Sequence, residues 1–276
     1  MTGRTNDQLP RIAASSYLNT APLIWSFISG SQRESVELLT DAAPARCADM
    51  LSIGTADVAL VPVIEYHRLP EVLIVPDVCV GSRSAVRSVV IVSRVNNLKK
   101  IKRVALDNSS RTSVALVKII FREFLGIEPE WETSPPDLTS MLVHADAALI
   151  IGDPAMKIGG NHLHVFDLAT LWHEYTGFGF VFAMWMLRPE SAAAIHTIDF
   201  AAARDEGLAH LDEIVSQYST QLDLSAGEIK TYLTRNISFQ MDDDMKRGLQ
   251  RYFELAHKHN LIDEVKEIKF ARERCD

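Results

Sequence analysis

An Ala-Asp-x-Ala-Leu pattern followed by a β-branched residue occurs twice in this chain, as Ala56-Asp57-Val58-Ala59-Leu60-Val61 and as Ala145-Asp146-Ala147-Ala148-Leu149-Ile150. Each is a short apolar run behind an Asp, of the length a buried strand needs. An earlier pair of segments repeats in the same way. Arg11 to Leu23 and Arg103 to Ile120 each read as strand, polar loop and helix. In the first, Ile12 to Ala14 is the strand and Ser15 to Asn19 the loop. Pro22 then suits the opening turn of a helix through Trp25 and Phe27, where no N–H is needed. In the second, Val104 to Leu106 is the strand and Asp107 to Ser110 the loop, before Val114, Leu116, Val117 and Ile120 at helical spacing. Both pairs recur about ninety residues apart, a period that suits a lobe rather than a solenoid unit. The expected fold class is α/β, with two related lobes. Ligands of open parallel sheets bind beyond the carboxyl ends of the strands, so two such lobes facing each other would enclose a cleft.

Two segments rich in β-branched or aromatic residues, Arg87 to Arg94 and Gly177 to Leu187, are expected to carry the chain across that cleft. Asn96-Asn97 follows the first as a hinge. The division expected is lobe 1 from residues 1–95 and 180–276, and lobe 2 from 96–179. The C-terminal part reads as helices packed on lobe 1. Leu208, Leu211, Val215 and Tyr218 share one helix face. Ser225 and Glu228 have capping-box spacing ahead of Ile229, Tyr232 and Leu233. Met245, Leu249, Phe253 and Ala256 mark a last helix that stops at Asn260.

A net charge of -8 argues against a broad nucleic-acid surface. No run is long enough to span a bilayer, and the first ten residues lack the apolar core of a signal peptide. Cys47, Cys79 and Cys275 are odd in number and far apart, which suits a reduced, cytoplasmic setting. His162 and His164 have no partner at metal-ligand spacing, and His173-Glu174 is not an HExxH pair. No nucleophile elbow or phosphate loop is present, and Gly159-Gly160 reads as a turn. The loops instead supply neutral polar groups: Ser15, Ser16, Tyr17 and Asn19 in the first, Ser109, Ser110, Thr112 and Ser113 in the second. Ser110 is the expected N-cap. Arg111, Thr112 and Ser113 then occupy a first helical turn, where donors and a cation make sense if a carboxylate or phosphate binds there. Spacing alone supports a two-lobe binder of a small anion, either a transport receptor or an enzyme.

SYLNTAPL near the start, SIGTADVALVPVIEY, VRSVVIVSR, SSRTSVALVKII, IGDPAM, YTGFGFVFAMW and TRNISF occur in this order. Together they resemble the chorismate dehydratase family of the futalosine route to menaquinone, from about Arg11 to Ile262. The resemblance implies a type II periplasmic-binding-protein-like fold, with two crossover segments. It implies a lyase that takes water from chorismate, a dianion, to give 3-[(1-carboxyvinyl)oxy]benzoate without a cofactor, as a monomer or homodimer. Carried over by motif, Asn19 in YLNT and Ser88 in VRS are the catalytic candidates. Ser16, Tyr17, Ser110, Arg111, Thr112, Ser113, Gly152 and Asp153 are the substrate-binding candidates. The proton acceptor is either a carboxylate of the substrate or Asp153. Asn19 has a structural alternative as a helix-capping turn residue, and Ser88 as a strand start. Two other functions share the fold: 1,4-dihydroxy-6-naphthoate synthase, whose Cys-Pro-Asn-Asp opening is replaced here by SYLNT, and a non-catalytic solute-binding protein.

Overall fold

The computed structural model describes residues 9–158 and 162–271, so the Gly159-Gly160 turn lies outside the described residues. Ten strands form two five-stranded sheets. The first holds β1 (Arg11–Ser15), β2 (Glu37–Asp41), β3 (Val58–Pro62), β4 (Leu73–Ser82) and β10 (Phe180–Leu187), in the order β2-β1-β3-β10-β4. The second holds β5 (Val89–Ser93), β6 (Arg103–Asp107), β7 (Glu130–Ser134), β8 (Ala147–Ile151) and β9 (His164–Asp167), in the order β7-β6-β8-β5-β9. The orders match place for place. Each sheet has a parallel trio, then an antiparallel strand that the chain inserts from the other lobe. The repeated strings are β3 and β8, third in each sheet, and every residue of both is buried. Strands covered on both faces carry continuous apolar runs rather than alternation, which is why these two stand out in the sequence.

The first crossing falls earlier than expected. β5 pairs with β8 and β9, so residues 89–93 belong to the second sheet and not to lobe 1. The chain crosses between Ser82 and Val89. Asn97 is not at the crossing; its side chain accepts from the Lys99 N–H and caps a short turn. At the crossing itself Arg87 has a φ of 63°, a left-handed backbone that non-glycine residues rarely adopt. Asp167 holds it there, accepting the N–H groups of Val86 and Arg87 on its two oxygens. The return crossing runs through Gly177 to Gly179 into β10, as expected.

The C-terminal helices do not pack on the first lobe alone. The Asp243–Lys258 helix lies against β10 and against the Thr112–Ile119 helix of the second lobe. The Tyr252 hydroxyl donates to the Thr112 carbonyl at 3.0 Å. The helix expected around Leu208 to Tyr218 breaks at His210, whose ring stacks on Trp25 at 3.8 Å. The Ser225–Glu228 capping box forms as read. Among the described residues no helix is long and apolar enough to cross a membrane.

The Phe200–Ala209 helix meets the Ala21–Ile28 helix at Gly207, where a Cβ would lie 1.9 Å from the Pro22 carbonyl oxygen. Phe27 packs edge to face against both Trp185 and Phe200, whose own rings are tilted to each other. Backbone cannot yield to a methyl group as a flexible side chain can. Gly207→Ala is therefore expected to cost about 1–3 kcal/mol by overpacking, measured as a lower denaturant midpoint at unchanged slope.

Candidate functional site

The two lobes meet along the carboxyl ends of β1, β3, β6 and β8, where the polar loops lie. Behind β1, Leu18 to Thr20 make one 3-10 turn, and the Leu18 N–H donates to both oxygens of Asp153 across the seam, at 3.0 and 3.3 Å. The Tyr17 ring packs on Gly152. Gly152 has φ 68° and ψ -150°, and a Cβ there would sit 2.6 Å from the ring, so only glycine satisfies both the backbone and the approach. The Ala45 N–H donates to the Ser109 carbonyl, and the Ile64 N–H to the Thr112 hydroxyl, both at 3.3 Å. Arg111 completes the seam. Its guanidinium binds Asp49 at 2.6 Å and Glu65 at 2.8 Å, both from the first lobe. This corrects the expectation that Arg111 faces an anion: two carboxylates already hold it, and it ties one lobe to the other.

The second polar loop departs from the sequence reading in another way. The helix starts at Thr112 with Arg111 in the N-cap position and no side-chain cap, so Ser110 is not the cap. Asp107 shapes the loop instead. Its Oδ1 accepts the Ser109 N–H at 2.8 Å and the Ser109 hydroxyl at 2.6 Å, and its carbonyl accepts the Ser110 N–H. No described residue accepts from the N–H of Arg111, Thr112, Ser113 or Val114. Ser110, Thr112 and Ser113 are nonetheless buried. A buried helix start without a cap leaves its first amides in need of an acceptor. With the helix dipole behind them, those amides favour an anion.

Ser88 is joined to a residue that sequence reasoning placed only in a core stripe. The Tyr232 hydroxyl donates to Ser88 Oγ at 2.7 Å, and Asn19 lies near enough to oppose the rise that burial gives the phenol. Tyr232 sits in a widened turn, Tyr232–Asn236, closed by an Ile237 N–H to Tyr232 carbonyl bond. Such turns recur at functional sites. The same segment docks on the crossing: Asn236 donates to the Ala85 carbonyl at 3.0 Å, and Arg87 pairs with Glu228. Asn19 caps neither the 3-10 turn nor the Ala21–Ile28 helix, so its helix-capping alternative is set aside. Ser88 lies one residue ahead of β5 and is fully buried. Ser16 is exposed, with its carbonyl accepting from the Tyr218 hydroxyl at 3.3 Å.

Two carboxyls stand at the seam. Burial pushes the Asp153 carboxyl up to about 6, against the pull of the Leu18 amide and Lys157. Burial also raises Asp107, with the Ser109 and Ile151 groups pulling it back. Its Oδ2 is buried without a hydrogen-bond partner. The Tyr17 hydroxyl is raised by burial and by both carboxyls, while its hydrogen bond to Ser109 opposes the shift. Tyr218 is pushed up to about 12 by burial and by Asp153. Asp107 was read only as a strand terminator. Its position at the end of β6, mirroring Ser15 at the end of β1, was the one available signal.

A family model described as menaquinone biosynthesis matches residues 10–258. The chorismate dehydratase of Thermus thermophilus is 30% identical over 257 residues, which is 86% of this chain and 92% of the relative. A crystal structure of an Archaeoglobus fulgidus protein superposes with a TM-score of 0.73 at 17% identity, covering 94% of this chain and 100% of the other. A Candida albicans gene product, described as having the generic periplasmic binding protein fold, gives 0.66 at 16% identity, over 97% and 98% of the two chains. The periplasmic aliphatic sulphonate binding protein of Escherichia coli gives 0.61 at 16% identity, over 98% and 96%. The two lobes thus have the periplasmic-binding-protein fold, and by its sequence the chain belongs to the menaquinone-biosynthesis family.

Proposed function

We propose that the chain is a chorismate dehydratase, a hydro-lyase that takes water from chorismate to give 3-[(1-carboxyvinyl)oxy]benzoate. The observation that carries this reading is the 30% identity to the Thermus thermophilus enzyme across 86% of the chain. The seam supports it with the right chemistry. Chorismate has one carboxylate on its ring and one on its enolpyruvyl arm. One of them meets the free N–H groups of Arg111 to Val114 and the hydroxyls of Ser110 and Ser113. Tyr17 and Gly152 shape the opposite wall. Arg111 acts at a distance, by holding the lobes shut over the ligand. Ser88 is fully buried, so substrate enters with the lobes apart and is enclosed as they close.

In the reaction the C–H bond at the ether carbon breaks. Its electron pair becomes the ring double bond, and the neighbouring hydroxyl leaves and takes a proton to form water. Aromatisation supplies much of the driving force. The protein holds the ring, excludes water and donates to the departing oxygen. Asn19 and Ser88 are the proposed donors, since neither is a base of useful strength. The substrate's own carboxylate takes the proton from carbon and passes it to the departing hydroxyl, so that water leaves and the carboxylate is restored. The rival acceptor, Asp153, receives the Leu18 amide on both oxygens, which commits it to closing the lobes.

Chorismate mixed with the purified protein is expected to yield an aromatic product, followed by its ultraviolet absorbance; binding without conversion would mark a receptor instead. Asn19→Ala and Ser88→Ala should each lower kcat by about 10²-fold, as loss of one transition-state donor does elsewhere. Full turnover without Asn19 would remove its assignment. Asp153→Asn should raise KM and leave kcat within about tenfold, whereas collapse of kcat alone would make Asp153 the base.

Asp153 also makes stability depend on pH. The folded chain holds its proton up to about 6, whereas the ordinary value is 3.8. Stability from this group is then fully present below the ordinary value and is lost as pH rises through the folded one. The melting temperature of the wild type relative to Asp153→Asn should fall from about pH 4 to about pH 7. A constant difference over that range would contradict the burial argument.

A further inference from the structure

We infer that Tyr232 is a positioning residue that donates to Ser88 Oγ, so that the hydrogen of Ser88 is left for a bound substrate. The inference rests on the chorismate reading and adds a residue to it.

The direction follows from what each group can give. The Tyr232 hydroxyl gives its single hydrogen to Ser88 Oγ at 2.7 Å. Ser88 Oγ has then accepted, and no described residue accepts the hydrogen of Ser88. A fully buried hydroxyl with an unused hydrogen is costly unless a ligand takes it. The chorismate hydroxyl that must leave is an acceptor of the right kind. Successive donors in one direction also polarise one another, which strengthens the bond from Ser88 to the substrate.

The surroundings hold this polarity in place. Tyr232 and Ser88 are both fully buried. The widened turn at Tyr232–Asn236 brings the phenol to the crossing, where Asp167 fixes the backbone ahead of Ser88. Burial and the Asp153 charge raise the phenol far above neutrality, so it keeps the hydrogen that it donates.

Tyr232→Phe keeps the ring and removes only the hydroxyl. It is expected to lower kcat about 10- to 100-fold with KM within about threefold. The double variant Tyr232→Phe with Ser88→Ala should be no slower than Ser88→Ala alone, because the phenol acts through the serine. Titration of 3-[(1-carboxyvinyl)oxy]benzoate into Tyr232→Phe should give wild-type affinity, which shows an intact cleft. Additive losses in the double variant, product affinity lost in step with kcat, or wild-type turnover by Tyr232→Phe would each overturn the inference. A wild-type protein that leaves chorismate unchanged would instead overturn the functional reading, and this inference with it.

Discussion

Four backbone amides at one helix start set the terms for the rest of the molecule. The N–H groups of Arg111 to Val114 have no acceptor among the described residues, yet they lie where two lobes close on each other. The usual remedy, a serine cap, is absent: Arg111 stands at the N-cap and no side chain caps the helix, while Asp107 holds the Ser109 hydroxyl and the Ser110 amide. In the proposed reading, a chain with net charge -8 keeps a local site for a negative group there. It does so with dipoles and hydroxyls rather than with a free cation, since Arg111 is held by Asp49 and Glu65. Fixed dipoles in a closed, water-poor space need no reorganisation when charge moves during a reaction.

Closure and binding share the same residues. Leu18 to Asp153, Tyr17 to Gly152, Ile64 to Thr112 and Arg111 to Glu65 all cross the seam within a few residues of the helix start. In the proposed reading the lobes hold each other through contacts that line the ligand's place, so a ligand bridging them would add to an existing set of ties. The solute-binding proteins that share this fold show how widely the two-lobed architecture serves. In this chain the interior joins the hydroxyls of Ser88 and Tyr232.

Much of this was legible in the residues. β3 and β8 announced themselves because strands buried on both faces leave an unbroken apolar run, and the repeat then implied two equivalent sheets. The boundary between lobes was not legible, because a doubly buried crossing strand such as β5 reads alike in either sheet. The pairing of Arg111 was hidden for a different reason. Its partners lie 62 and 46 residues away, and no local pattern names them. Tyr232 was hidden by its own ring, which belongs to a helix stripe while its hydroxyl belongs to the seam. A widened turn leaves no periodic trace, and only the TRNISF string nearby marked the region.

The most direct test is a crystal structure of the protein with 3-[(1-carboxyvinyl)oxy]benzoate bound. The account places a carboxylate of the product within about 3 Å of the Thr112 and Ser113 amide nitrogens, as N–H to O hydrogen bonds require. A product bound elsewhere, or bound at the seam with those amides turned to water, would contradict it.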